Sequence, residues 1–249
     1  MSGAPELVVT ADPEALAGAA VSRVRDAAAR ALGRRGRFRL ALAGGSTPRA
    51  LYRALAAAPG SVDWNRTDLF FGDERAVPAD DTKSNYRMAR ESLLEPAGVP
   101  AANVHRMLGE ASDLDAAARA YEAELRAGAA EPWLDLVLLG MGPDGHTASL
   151  FPGSAALDER VRLCVPNLAP VEPTRRLTLT YPVLLGAAEV LFLIAGRDKA
   201  EALRDVLGDR EDPRRWPSQL VARRSDPAPA VILCDAEAAM LVSPRGSSA

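Results

Sequence analysis

Asp135–Gly140 reads DLVLLG, and the residues after it, Met141–His146, read MGPDGH. The run Leu136–Leu139 has no polar face, so a strand here is covered on both sides. Such strands belong to parallel sheets, because each βα crossover lays a helix over one face or the other. The glycine-rich polar run after it is then a loop at the carboxyl end of a central strand, where open α/β sheets bind their ligands.

Working outward, the same alternation recurs. Glu6–Thr10, Arg37–Ala43, Asp68–Gly72, Arg176–Thr180, Val190–Ala195 and Ala230–Leu233 read as further strands. Asp12 caps a helix with Pro13 at its first position, running to about Leu32 and stopped by Gly33 and Gly36. More helices are predicted over Pro48–Ala58, from Ser84 to about Leu94, and from Ser112 or Asp113 to about Arg126. Two others come later, from about Asp198 to Leu207 and over Ala236–Val242. Gly208–Pro229, rich in Pro, Arg and Asp, reads as a long surface loop around a short helix, and Ser243–Ala249 as a frayed tail. The expectation is one α/β domain over residues 1–249, with an ordered core from about 5 to 242.

Composition excludes several classes. The 249 residues are 48% hydrophobic and 25% charged, close to soluble globular averages. Thirty basic against 33 acidic residues give a net charge of −3, which makes no general field for nucleic acid. No apolar run approaches the roughly 20 residues that span a bilayer. Met1–Thr10 has no basic region ahead of an apolar one, so no secretion signal is expected. Cys164 and Cys234 lie far apart and read as small buried hydrophobes, reduced in a cytoplasmic protein.

The unusual residues collect at strand ends. Gly44-Gly45-Ser46-Thr47-Pro48 comes after Arg37–Ala43. Here Thr47 suits a helix cap and Pro48 the first helical position, while glycine N–H groups and the positive helix end favour a phosphate. An ordinary capped tight turn is the equal alternative, since neither G-x-x-x-x-G-K-[ST] nor G-x-G-x-x-G is present. Asp73-Glu74-Arg75 comes after Asp68–Gly72. Three charges normally make a solvated turn, yet at this strand end Arg75 can fork onto a carbonyl or phosphate oxygen, and Asp73 can take a hydroxyl or act as a base. Asp144-Gly145-His146 contains one of only two histidines. The unperturbed imidazole pKa of about 6.5 suits proton transfer at neutral pH. Zinc fails on ligand count, as His105 lies in an ordinary stretch and no H-x-x-x-H or C-x-x-C exists. No G-x-S-x-G elbow marks a serine hydrolase. Lys199, after Gly196, and Arg175 and Arg176, ahead of a strand, are either solvated surface or phosphate contacts.

LALAGGSTPRALY (Leu40–Tyr52), FFGDERAVP (Phe70–Pro78) with DDTKSNYRMA (Asp80–Ala89), LVLLGMGPDGHTASLFPG (Leu136–Gly153) and RRLTLTYPVLLGAAEVLFLIAGRDKAEAL (Arg175–Leu203) stand in the order and spacing of the 6-phosphogluconolactonase family. The chain resembles that family from about Pro5 to Val242. The resemblance implies a three-layer α/β/α sandwich of modified Rossmann type, a fold shared with the glucosamine-6-phosphate deaminases. It implies hydrolysis of 6-phospho-D-glucono-1,5-lactone to 6-phosphogluconate, the second step of the oxidative pentose phosphate pathway. No metal and no organic cofactor is implied. The partner is a small sugar-phosphate lactone, with neither nucleic acid nor membrane, and a monomer is the simplest expectation for assembly.

Under this resemblance His146 is the general base, returning its proton to the departing ring oxygen. Asp144 or a backbone carbonyl orients its ring. Arg75 and N–H groups near Gly142–Gly145 are candidates for the developing negative charge. Gly44, Gly45, Ser46 and Thr47 hold the phosphate with Lys199 and Arg176. Asp73 and Asn85 contact sugar hydroxyls or hold the loop, and Glu74, Gly140, Met141, Gly142 and Gly145 line the substrate. The last strand of the family commonly carries a Trp where this chain has Val231–Asp235, a packing position. Two alternatives stand beside the lactonase: a deaminase-like isomerase and a sugar-phosphate-binding module without catalysis. The deaminases place a Glu before the Pro after their D-G-H core, where this chain has Phe151, and match Asp73-Glu74-Arg75 with Tyr in place of Arg. Both differences favour the lactonase.

Overall fold

The computed structural model describes residues 3–127 and 132–242. In chain order the elements are β1 (Glu6–Thr10), α1 (Pro13–Arg35), β2 (Phe38–Leu42), α2 (Ser46–Ala56), β3 (Thr67–Phe71), β4 (Asp73–Arg75), α3 (Asn85–Ala89), α4 (Leu114–Arg126) and β5 (Leu136–Leu139). They continue with β6 (Cys164–Leu168), β7 (Arg175–Leu179), α5 (Tyr181–Gly186), β8 (Glu189–Ile194), α6 (Ala200–Leu207), α7 (Ser218–Ala222), β9 (Val231–Asp235) and α8 (Ala236–Ala239). The central sheet has six strands in the order β1-β9-β8-β5-β2-β3, with every ladder parallel and helices on both sides. From β2 the chain steps outward to β3, and from β5 it steps the other way through β8 and β9. The order therefore reverses between β2 and β5, which opens a crevice beyond their carboxyl ends. The Gly44 loop leaves one of these strands and the His146 loop leaves the other.

Local chemistry explains most boundaries. The Asp12 side chain accepts from Ala15 N at 2.8 Å, and Pro13 begins α1. The helix passes Gly33 and stops at Gly36, whose φ of 74° provides the left-handed cap. Asp113, not Ser112, caps α4, accepting from the backbone N–H groups of Asp115 and Ala116. Helix α3 starts from its Ser84 cap and continues into a π-helical turn, Arg90–Leu94. The expected tail, Ser243–Ala249, lies outside the described residues.

Three expectations are corrected. The strand containing Arg176 is not in the parallel sheet: β7 is the middle of a separate antiparallel sheet, β4-β7-β6. Its edge strand β6 holds Pro166, which breaks a strand pattern in sequence but is tolerated where no ladder needs its N–H. Asp73–Arg75 is a short strand, not a solvated turn, and Asp73 and Glu74 are buried. Finally, Gly208–Pro229 contains the expected short helix, α7, but this helix is not on the surface, because its Ser218, Gln219, Val221 and Ala222 are buried.

Two buried tyrosines fix strand ends. The Tyr52 hydroxyl on α2 accepts from Ala43 N and donates to Ala43 O, both at 2.8 Å. On α4, Tyr121 does the same for Phe71, at 2.7 and 2.9 Å. Away from the crevice, the His105 ring stacks on Phe70 with centroids 4.4 Å apart, and the Arg39 guanidinium also lies against that ring. His105 Nδ1 is 3.0 Å from Glu124 and Nε2 is 3.7 Å from Asp68. The Asp68 and Glu124 carboxylates raise the His105 pKa against the opposing effect of burial. Burial would lift the Asp68 carboxyl, but bonds from His105 and Arg37 hold it well below the usual range. Among the described residues, no helix is long and apolar enough to cross a membrane.

Candidate active site

A cleft of about 270 Å³ lies at the crevice between β2 and β5. Elements from both sheets converge on it: Gly44 and Gly45 after β2, Asp73 and Arg75 of β4, His146 after β5, Arg176 of β7 and Lys199 after β8. Asn85, Gly140, Met141 and Gly142 line it as well.

The loop after β5 is a scaffold for one imidazole. Gly142 N donates to His146 O at 2.9 Å, and Gly145 N to Gly142 O at 3.0 Å. The Thr147 hydroxyl donates to Gly140 O at 2.8 Å. Asp144 Oδ1 lies 2.5 Å from His146 Nδ1 and also accepts from His146 N. Of the orienting groups left open by sequence, the Asp144 carboxylate is the one in contact with the ring. Burial would raise its pKa, but the bonds from His146 bring it below the ordinary carboxylate value. With Nδ1 engaged, Nε2 is the ring atom left for chemistry. A Cβ on Gly142 would come within 2.1 Å of His146 Nδ1 and 2.6 Å of Asp144 Oδ1, so only glycine fits there. Of the N–H groups near Gly142–Gly145 expected for an oxyanion, those of Gly142 and Gly145 close the loop on itself.

Asp73 is held by its neighbours. Its Oδ1 accepts from Asn85 Nδ2 at 3.1 Å and its Oδ2 from the Ser149 hydroxyl at 2.7 Å. Asn85 in turn lies so close to Gly44 that a Cβ there would meet Asn85 Oδ1 at 2.2 Å. Glu74, expected at the substrate, faces away from the cleft. It accepts from Arg75 N, Asn85 N, Tyr86 N and the Ser84 hydroxyl, which anchors the start of α3. Burial pushes its pKa up despite those donors.

The glycine loop also differs from expectation. Helix α2 begins at Ser46, and the cap is Gly45 at φ 108° with no side-chain bond. Thr47 is thus inside the first turn and caps nothing. Ser46 and Thr47 line a neighbouring groove beside Gly196 and Asp235, while Gly44 and Gly45 line the cleft. Gly145, also expected to line the cleft, instead turns toward Trp216.

The cleft is rich in cations. Arg75 Nη1 donates to Lys83 O at 2.5 Å, and Lys199 Nζ is 2.9 Å from Asp198. Arg176 is 5% exposed, and its Nε and Nη1 have no hydrogen-bond partner. Burial and then the charge of Arg75 lower its pKa. A buried guanidinium with two idle donors suits an incoming oxyanion. Sequence reading passed over Ser149, the donor to Asp73, and Phe151 as a wall of the site. The Phe151 ring centroid is 4.5 Å from that of His146. Both lie within five residues of His146, in the run already singled out. Ala148, another wall residue, has φ 48°, uncommon for a residue with a Cβ.

Comparison with known proteins agrees with this architecture. The chain matches the family model for glucosamine-6-phosphate isomerases/6-phosphogluconolactonase over residues 11–229. It is 38% identical over 223 residues to a 6-phosphogluconolactonase of Synechocystis sp., covering 88% of this chain and 91% of that one. It is 41% identical over 206 residues to a 6-phosphogluconolactonase of Mycobacterium tuberculosis, with 79% and 83% covered. The crystal structure of a 6-phosphogluconolactonase from Shewanella baltica superposes with a TM-score of 0.85 at 29% identity, covering 95% of this chain and all (100%) of that chain.

Proposed function

The chain belongs to the family of glucosamine-6-phosphate isomerases and 6-phosphogluconolactonases, and on that premise we propose that it hydrolyses 6-phospho-D-glucono-1,5-lactone to 6-phospho-D-gluconate with His146 as general base. The observation that carries this reading is the 2.5 Å contact between Asp144 and His146 at the wall of a cleft that also holds Arg75, Arg176 and Lys199.

That arrangement sets the chemistry. Asp144 accepts the Nδ1 proton, so Nε2 keeps its lone pair and takes a proton from water as the water oxygen attacks the lactone carbonyl. The carbonyl electrons move onto oxygen, where Arg75 opposes the new charge. Collapse of the tetrahedral intermediate breaks the bond to the ring oxygen, which receives the proton back from Nε2. The product acid ionises and releases one proton to solvent. Arg176, Lys199, the Gly44-Gly45 backbone and the first N–H groups of α2 hold the phosphate. Asp73, fixed by Asn85 and Ser149, presents its carboxylate to the sugar hydroxyls.

Freshly generated lactone, monitored by proton release and corrected for spontaneous opening, tests the assignment. His146→Asn lowers kcat by about 10²–10⁴-fold, the usual worth of a positioned acid–base group, and leaves product affinity nearly unchanged. Near-normal turnover in that variant removes His146 from the role. Ammonia release from glucosamine 6-phosphate would make the chain an isomerase, and binding without turnover would make it a sugar-phosphate sensor.

A further inference from the structure

We propose that Trp216 is a positioning residue, the brace that holds the Asp144–His146 pair in working geometry. The inference rests on the reading of His146 as the base. The segment Asp212–Gln219 folds on itself, with Trp216 N donating to Asp212 O at 2.9 Å and Gln219 N to Trp216 O at 2.9 Å. It grips the catalytic loop at both ends. Ser218 N donates to Gly145 O at 2.9 Å, just ahead of His146, and Gly153 N donates to Arg214 O at 3.1 Å, where that loop finishes. Between these bonds lie His146, Ser149 and Phe151.

The indole supplies the contact that gives this grip its shape. A Cβ on Gly145 would stand 2.8 Å from Trp216 Cδ1 and 3.2 Å from its Cα and Cβ, so the tryptophan covers the peptide joining the two members of the pair. Gly145 has φ 78°, the left-handed turn that brings Asp144 back onto His146. The Cδ1 edge of the indole crowds this turn and opposes its relaxation toward an extended form. The brace is itself fixed from behind, because the buried Tyr181 hydroxyl donates to Pro217 O at 3.0 Å and Arg214 pairs with Asp158 at 2.6 Å. Trp216 does not line the cleft, so any effect on the reaction passes through the loop it holds.

A kinetic cycle tests this. Trp216→Ala lowers kcat by about 10–100-fold, since displacement of a reacting group by about 1 Å can cost that much. The affinity for 6-phosphogluconate, measured by calorimetry, stays near that of the parent. Trp216→Phe, which keeps an aromatic edge against Gly145, recovers most of the lost kcat. In the His146→Asn background Trp216→Ala costs less than about twofold more, because a residue acting only through His146 is not additive with it. Equal losses in both backgrounds, or a loss of affinity matching the loss of kcat, overturns the proposal. So does a Trp216→Ala enzyme of parental kcat. Should Trp216→Ala not fold, Trp216→Leu is read in its place. If His146→Asn keeps full turnover, the assignment of the base fails, and the contrast of Ala with Phe at position 216 alone decides the brace.

Discussion

Arg176 stands directly opposite Arg75 across the β4–β7 ladder, buried and with two guanidinium nitrogens idle. Like charges held this close in a low dielectric oppose folding until an anion arrives between or beside them. Arg176→Met therefore leaves the ligand-free protein as stable as the parent or more so, because it removes an unpaired buried charge. The same change lowers kcat/KM by about 10–100-fold through loss of charge-assisted bonds. Saturating 6-phosphogluconate, at about a hundred times its Kd, adds about 2.7 kcal/mol to the parent, and most of that gain disappears in the variant. Thermal melts with and without product check both halves.

Lys199 allows a separable test of the phosphate end. Lys199→Ala costs about 1.5–3 kcal/mol in kcat/KM on the phosphorylated lactone, the range for a hydrogen bond to a charged group. On unphosphorylated gluconolactone the change has almost no effect. Equal damage to both substrates would move Lys199 to the carbonyl or to folding.

Gly142→Ala should disable the enzyme while leaving its fold. The added methyl would overlap His146 Nδ1 and Asp144 Oδ1, so one of the pair must leave. A kcat lower by about 10²-fold is expected from the displaced imidazole, with product binding retained. Unimpaired turnover in this variant would mean that the 2.5 Å contact is not the working geometry.

The His105 cluster predicts a pH dependence of stability. The His105 pKa is raised in the folded chain, so its contribution is fully present below the unfolded value of about 6.5 and is lost as pH rises through the folded value. The Asp68 pKa is lowered, so its contribution is present above about 3.9 and is lost as pH falls through its folded value. The pair therefore helps most between about pH 4 and 6.5. His105→Gln should lower Tm in that window, by no more than about 3 °C for a partly exposed pair, and less at pH 9. A Tm difference that grows with alkaline pH would reverse the sign of this argument.

The parallel sheet was legible because DLVLLG and its counterparts carry unbroken apolar runs, and two-sided burial needs no tertiary information to infer. The functional loops were legible for the same reason, since each one begins where such a run ends. The second sheet was not. Asp73-Glu74-Arg75 has the composition of a turn, and only its ladder with β7 makes it a strand. Pro166 likewise hides β6, an edge strand with no further strand beside it among the described residues to miss the N–H. Helix α2 began earlier than the Thr47-Pro48 signature suggested, because Gly45 adopts a conformation that needs no side-chain cap. Sequence ranked Glu74 with the site by adjacency alone. Three of its four bonds come from Ser84, Asn85 and Tyr86, about ten positions later, which no local pattern brings together.

The tyrosine hydroxyls at Ala43 and Phe71 have a consequence for how the cleft meets its ligand. Each satisfies both backbone groups of a residue where a parallel ladder runs out, just before Gly44 on one side and Gly72-Asp73 on the other. The Gly44 loop and strand β4 thus leave the sheet from clamped origins, and the chain has surrendered the conformational freedom of both segments during folding, not at binding. Under the proposed function, a sugar phosphate docking there meets a ready-made cradle, and its affinity is not diminished by the entropy of ordering those segments.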